Sequence, residues 1–334
     1  MKAAVLAPVA WRTPPRHYGP WEQVASNIAE GLIKLGVEVT LFATGDSITA
    51  GKLEAICEQG YEEDRTQDAK VLECLHISNL MERADEFDII HNNFDFLPLT
   101  YTGLIKTPVI TTIHGFSSPR IIPVYKKYNA RGHYVSISNA DRSAELEYIA
   151  TVYNGLDTKD FRFTEKPEDY LVYFGRIHHD KGAAEAIQIA KKANKRLLIA
   201  GIIQDENYWK EKVEPFLDDQ IQYIGHAGPE KRNELLGNAQ ALLHPINFAE
   251  PFGMSVAEAM LCGTPVIAFN KGSMPELIQN QRTGFLVNTV DEAVDAIVQL
   301  GSINRKDCFE WANSQFSKEK MADDYYRLYQ QILG

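Results

Sequence analysis

A chain of 334 residues is too long for one ordinary hydrophobic core and suits two domains of about 150 residues each. Its 45% hydrophobic and 24% charged content is that of a globular protein, with no approach to the roughly 18 consecutive apolar residues of a membrane span. The net charge of −11 is shared by both halves (14 basic and 20 acidic side chains in residues 1–158, 20 and 25 beyond), which argues against nucleic-acid binding and disfavours anything but weak association with an anionic membrane.

The chain opens with "MKAAVLAPVAWR". Pro8 and Arg12 interrupt its apolar run and no cleavage pattern follows, so it reads as a first β-strand rather than a signal peptide. "VEVTLFA", "FDIIHN", "TPVITTIHG", "HYVSIS" and "IATVYNG" continue as strands. After the charged stretch "DTKDFRFTEKPEDY" the pattern restarts with "YLVYFG", "RLLIAG", "IQYIG", "ALLHP", "PVIAF" and "GFLV". Short runs without polar alternation, each separated by a helical segment, indicate parallel sheets covered on both faces. Two such series predict an α/β protein of two doubly wound, Rossmann-like domains. The boundaries fall at residues 1–158 and 159–315, with a final helix over 316–334 expected to pack back on the N-terminal domain. Cys57, Cys74, Cys262 and Cys308 form no C-x-x-C pair, which favours a reduced, cytoplasmic protein and speaks against structural zinc.

Ligands of doubly wound sheets bind beyond the carboxyl ends of the strands. "YLVYFG" runs into "GRIHHDKG", Gly175 to Gly182. Arg176 is a bidentate donor, Lys181 a point charge, and Gly182 stands where a helix begins, a combination that suits a diphosphate. Taken alone, the stretch fits a solvated basic turn equally well. No G-x-G-x-x-G or G-x-x-x-x-G-K-[ST] loop supports a dinucleotide or P-loop reading. "ALLHP" is followed by "FAEPFGMSVAEAMLCGTPV". Pro251 and Gly253 predict a helix start near Phe252, with Glu250 in the loop and Glu258 about two turns into the helix. One carboxylate could then accept from the vicinal hydroxyls of a ribose and the other from a second sugar, beside the N–H groups of Gly253, Met254 and Ser255. A capping acid and a partly buried, ion-paired acid are the plainer alternative. A ligand with paired hydroxyls accounts better for carboxylates in an apolar run.

"GRIHHDKG" followed by "EPFGMSVAEAMLCGTPVIA" resembles the signature of the retaining glycosyltransferases of family 4, which have the GT-B fold. Glu250 and Glu258 match that family's E-x7-E motif. "YGPWEQVASNIAEGLIKLG", "TTIHGF", "VYNGLD", "GSMPELI", "TGFLV" and "FSKEKMADDYYRLYQQIL" extend the resemblance over nearly the whole chain. It implies two domains facing across a cleft, acceptor side first and donor side second. Arg176 and Lys181 would hold the diphosphate of a nucleotide sugar, Glu258 its ribose and Glu250 the transferred hexose, with Phe252, Gly253, Met254 and Ser255 on the donor side. Gly19 would let backbone approach the phosphates, and His114 would contact the transferred sugar; without the resemblance, a histidine satisfied at its strand end is the better reading. His178, His179 and His91 receive no role, although His91 could line the cleft. The sequence departs from the family in Gly19-Pro20 where a Gly-Gly pair is usual, in "HPINFAE", and in the long loop "VAWRTPPRHYGP", which would shape the acceptor pocket.

The implied reaction is transfer of a hexose from a nucleotide-diphosphate sugar, such as GDP-mannose or UDP-glucose, to a hydroxyl of a glycan or small molecule, with retention. No D-x-D stands at a strand end, so neither metal nor other cofactor is expected. The competing readings are a nucleotide-sugar epimerase and a non-catalytic two-domain sugar-binding protein. The latter would need a secretion signal and no diphosphate cations. A phosphorylase would need a pyridoxal-phosphate lysine, and Lys181 suits a diphosphate better.

Overall fold

The computed structural model describes residues 1–116 and 118–334. The chain divides into two compact units, residues 1–156 with 317–334, and residues 157–316.

The first unit is built on a parallel seven-stranded sheet of order β3-β2-β1-β4-β5-β6-β7. Its strands are β1 (Lys2–Leu6), β2 (Glu38–Phe42), β3 (Lys52–Glu54), β4 (Ile89–Asn92), β5 (Val109–Ile113), β6 (His133–Ser136) and β7 (Ala150–Thr151). β5 is buried at all five positions and β4 at all four, the polar Thr111, Thr112, His91 and Asn92 included, so neither strand alternates between a buried and an exposed face. The helix Pro20–Lys34 starts with proline at its first position, where the missing N–H costs nothing. Val24, Ala25, Ile28, Ala29 and Leu32, at helical spacing, bury one face against Val5, Leu41 and Ile110. Met321, Tyr325 and Tyr329 of the final helix, Lys318–Leu333, join this core.

His91 corrects one expectation. It does not line an opening: its side chain is fully buried, with Nδ1 2.7 Å from the Tyr329 hydroxyl and Nε2 2.7 Å from Thr112 Oγ1. Burial, reinforced by His114, pushes the imidazole down to about 3, so the ring stays neutral. Thr112 Oγ1 also meets the Tyr325 hydroxyl at 2.6 Å. The network ties the final helix to β4 and β5.

The second unit carries a parallel six-stranded sheet of order β10-β9-β8-β11-β12-β13. The strands are β8 (Leu171–Phe174), β9 (Leu197–Ala200), β10 (Ile221–Tyr223), β11 (Ala241–His244), β12 (Val266–Phe269) and β13 (Gly284–Val287). Arg305 stitches this unit from inside: its guanidinium donates to the carbonyls of Thr164, Ala239 and Gly237 and to Thr264 Oγ1. Strand order reverses between β1 and β4 in the first sheet and between β8 and β11 in the second, the positions where such sheets open a binding crevice. No helix among the described residues is long and apolar enough to cross a membrane.

Candidate functional site

In the second unit the loops leaving β8 and β11 meet. After β8 the chain passes Gly175 and Arg176, makes a short 3-10 turn at His179–Lys181, and enters the helix Ala183–Lys192 through Gly182. Gly182 has φ 76°, and a Cβ there would lie 1.9 Å from the carbonyl oxygen of Pro245, the residue after β11. Only glycine lets the two loops approach so closely. Arg176 reaches the side-chain oxygen of Gln204 by a short hydrogen bond.

Lys181 Nζ sits 2.5 Å from Glu250 Oε2, with side-chain exposures of 15% and 11%. The ring of Phe248 lies 4.7 Å from the ammonium. Glu250 is held in place from its backbone, whose carbonyl accepts from Ser273 N at 2.9 Å. His244, the last residue of β11, lies behind the pair: it is 5% exposed, and its Nε2 is 3.9 Å from Glu250 Oε2. Burial pushes this imidazole down to about 4; Glu250 opposes the shift and Lys181 reinforces it.

The helix carrying the second glutamate spans Met254–Leu261 and is entered through Gly253 in the left-handed region, φ 90°. The expected start near Phe252 and a depth of two turns for Glu258 are thus corrected: Glu258 lies just over one turn in, because the chain reaches helical geometry only after Gly253. Phe252 is buried against Phe316, and its carbonyl accepts from Ser273 Oγ at 2.7 Å. Glu258 Oε1 accepts from Arg232 of the helix Pro229–Asn238 at 3.1 Å, and that guanidinium stacks 4.5 Å from the Phe161 ring centroid. Burial raises the Glu258 carboxyl above its usual range while Arg232 pulls it back. Both carboxylates therefore have protein cations as partners, and the plainer reading of an ion-paired acid describes each of them in this arrangement.

His178, His179 and Asp205 form one group with metal-ligand potential among the described residues, with a ligating atom from each within 4.8 Å of the others. His179 Nδ1 lies 3.2 Å from Asp205 Oδ2, and Asp180 pairs with both histidines.

In the first unit, Gly19 caps the helix Pro20–Lys34 with φ 152°, and a Cβ there would meet Pro15 Cβ at 2.9 Å and Glu22 Oε2 at 3.0 Å. Glu22 is buried beneath the loop after β1 and accepts from Trp11 N at 3.3 Å. Desolvation raises its carboxyl to about 7, aided by the charge of Glu63 and opposed by the backbone N–H groups of Glu22 itself and Trp11. Both arginines of the same loop are engaged, Arg16 with Asp46 and Glu63, and Arg12 with the carbonyl of Pro14. His114, at the end of β5, is half-buried and stacked on Trp21 at 5.6 Å between centroids, and its Nε2 donates to Asn93 Oδ1 at 3.2 Å. Desolvation lowers it to about 3, so it is neutral at physiological pH. Sequence reasoning missed Trp21, Glu22, Arg232 and His244. Only Trp21, beside Gly19 in "YGPWEQ", carried a signal, as an aromatic residue at a glycine turn.

The family model described as Glycosyl transferases group 1 matches residues 157–313, and that described as Glycosyltransferase Family 4 matches residues 21–160. An uncharacterized glycosyltransferase of Methanocaldococcus jannaschii is 20% identical over 330 residues, covering 84% of each chain. The GDP-mannose:cellobiosyl-diphosphopolyprenol alpha-mannosyltransferase of Komagataeibacter xylinus is 24% identical over 292 residues, covering 74% of this chain and 72% of that one. Among solved structures, sucrose-phosphate synthase of Thermosynechococcus elongatus superposes with a TM-score of 0.79 at 18% identity over 99% of each chain. HepE of Anabaena in complex with UDP-glucose gives 0.73 at 17% identity, covering 99% of this chain and 100% of that one. At these identities the structural likeness is one of fold: Rossmann-like parallel sheets of the GT-B type.

Proposed function

We infer the reaction from this premise: the chain belongs to the glycosyltransferases that the two family models describe, and it transfers sugar from a nucleotide-sugar donor. The donor reading for this chain is a nucleotide-diphosphate hexose such as UDP-glucose or GDP-mannose, and the acceptor a hydroxyl of a glycan or small molecule. The second unit is the donor side and the first the acceptor side. The observation that carries this reading is the meeting of Lys181, Glu250 and the Arg176 loop where the β8 and β11 loops converge.

As the anomeric C–O bond breaks, negative charge grows on the leaving diphosphate. Arg176 and Lys181 would stabilise it, taking the role that a divalent ion plays elsewhere, so transfer would proceed without metal. Lys181 has three N–H donors and can turn from Glu250 toward phosphate. Glu258 would hold the ribose with Arg232 as its counter-ion, and Glu250 would hold hydroxyls of the transferred sugar, beside Phe252 and the N–H groups of Gly253, Met254 and Ser255. From the first unit, Gly19 would serve the phosphates and neutral His114 the transferred sugar, as a hydrogen-bonding group without charge. Retention follows from front-face attack, in which the departing phosphate oxygen accepts the acceptor's proton. Glu250 then positions rather than attacks, and no dedicated general base is required.

The experiment is a thermal-shift screen with nucleoside diphosphates, followed by donor turnover with and without acceptor sugars. A ligand at 100 times its dissociation constant should stabilise by roughly 2.7 kcal/mol. Stabilisation by none of the common nucleoside diphosphates would sink the reading. Sugar epimerised without transfer would replace it with the epimerase.

A further inference from the structure

We propose that His244 is a positioning residue for Glu250, its Nε2–H holding the carboxylate when Lys181 turns to an anionic ligand. The inference deepens the donor-site reading above and rests on it. His244 is buried at the end of β11, and its Nε2 has no hydrogen-bond partner among the described residues. A buried polar atom left unpaired costs stability, and such atoms are rare enough to require an account. The account lies 3.9 Å away, at Oε2 of Glu250, the same oxygen that Lys181 Nζ occupies at 2.5 Å. With Lys181 on that oxygen, the imidazole lies outside hydrogen-bond range. Once the ammonium swings to a diphosphate, Glu250 is left in a poorly solvated place with no cation, and an imidazole about 1 Å too far can close on it.

The chemistry favours this exchange. Burial, which outweighs the opposing charge of Glu250, keeps the His244 ring neutral, so it brings one N–H and no charge. A neutral donor fixes the orientation of Glu250 without cancelling its negative charge. That charge is wanted beside an anomeric carbon that becomes electron-poor as the leaving group departs. Lys181 bound to Glu250 would neutralise it; Lys181 on phosphate leaves it intact. His244 thus allows one lysine to serve the leaving group while the glutamate stays ionised and aimed.

The test uses full-length protein labelled with 15N in its imidazoles, at neutral pH, with the His244 signals identified by their loss in His244→Gln. The Nε2-protonated tautomer is expected in the wild type. Its Nε2–H proton should move downfield in Lys181→Met, where the ammonium is gone, and this shift should vanish in Lys181→Met/Glu250→Gln. A proton on Nδ1 in the wild type, or the same Nε2–H shift in the single and double variants, overturns the proposal. A second arm follows UDP release from UDP-glucose and GDP release from GDP-mannose. With either donor turned over, His244→Phe should lose about tenfold to a hundredfold in kcat at unchanged affinity for the bare nucleotide. His244→Gln, which keeps an N–H donor, should recover most of that loss. Equal loss in both variants, or none, overturns the role in turnover. Failure of the wild type to bind UDP, GDP or either sugar nucleotide would instead strike the donor-site reading, and the NMR arm would still decide whether His244 holds Glu250.

Discussion

In the second unit the candidate acids are paired with bases: Glu250 with Lys181, and Glu258 with Arg232. In the first unit the candidate groups carry little charge: Gly19 offers backbone, His114 is held neutral, and the Glu22 carboxyl is raised to about 7. Both environments are poorly solvated, and they manage that cost differently. Where a cation packs beside a buried acid, as Arg232 does at Glu258, Coulomb attraction and a hydrogen bond oppose the desolvation that raises the carboxyl; at Glu22 no cation opposes it. The difference teaches where each unit is vulnerable. Shifts of pH should act on the first, and substitutions that delete one charge should act on the second.

The largest effect that could break this comparison is at Glu22. Its folded-state carboxyl titrates near 7 against an ordinary 4.5. The sign is that of a raised acid: below about pH 4.5 the group costs nothing, and stability is lost as pH rises through 7, because the unfolded chain ionises first. At 1.36 kcal/mol per pH unit, the full loss is on the order of 3 kcal/mol. Glu22→Gln keeps an acceptor for Trp11 N and cannot ionise. Urea unfolding of both proteins from pH 5 to 8 should therefore show the variant gaining on the wild type as pH rises. Parallel curves would mean that Glu22 is ionised throughout, and the contrast between the units would fail at its clearest point.

In the second unit the next largest effect is at Glu250. The Glu250→Gln change removes charge and part of the acceptor capacity at constant size, and loss of one positioning contact costs on the order of a hundredfold in turnover. Affinity for a bare nucleoside diphosphate should hold or rise, because Lys181 is released from its pair. Glu258→Ala should do the reverse, weakening that affinity by roughly 1.5–3 kcal/mol, the range for hydrogen bonds to a charged group. Calorimetric titration of UDP and GDP into both variants, each shown to be folded, checks the division. Equal loss of nucleotide binding would make the two glutamates a single unit. Unchanged affinity in Glu258→Ala would leave that carboxylate as no more than the partner of Arg232.

How far the sequence reached follows the same physics. The runs LVYF and VIAF are apolar on both faces, and VITTI has no polar alternation, so their strands are legible, as is the arrangement of two doubly wound sheets. β3, with the sequence KLE at the sheet edge, has one apolar residue and left no pattern. Lys181 and Glu250 lie at the ends of neighbouring strands, and alternating strand and helix patterns are enough to suggest that proximity. The start of the Glu258 helix was displaced by two residues because a left-handed Gly253 cap cannot be told from the Pro-Phe turn before it. Arg232 lies 26 residues from Glu258 on a separate helix, and nothing in "PEKRNELLGN" distinguishes it from its basic neighbour Lys231. His91 and His244 look alike as histidines near strand ends. One is satisfied on both nitrogens and the other lacks a partner on Nε2, a distinction made by tertiary contacts alone.

The smallest expected effect is the one that most sharpens the account of the second unit: removal of divalent metal should leave turnover unchanged. Arg176 is held by Gln204, a neutral amide, so its guanidinium keeps its full charge for an anion. Lys181 can add a second positive charge once it leaves Glu250. Two charges at the leaving diphosphate match what one divalent ion would provide. The alternative has a definite address, because His178 and His179 of the same loop, with Asp205, offer two imidazoles and a carboxylate, a donor set suited to zinc and its neighbours. Turnover of UDP-glucose or GDP-mannose in excess EDTA, and again with added manganese, magnesium or zinc, decides between them. Constant rates leave the diphosphate to the two cations. Loss with EDTA, restored by one metal and abolished again in His179→Ala, would move that charge from Arg176 and Lys181 onto a bound ion.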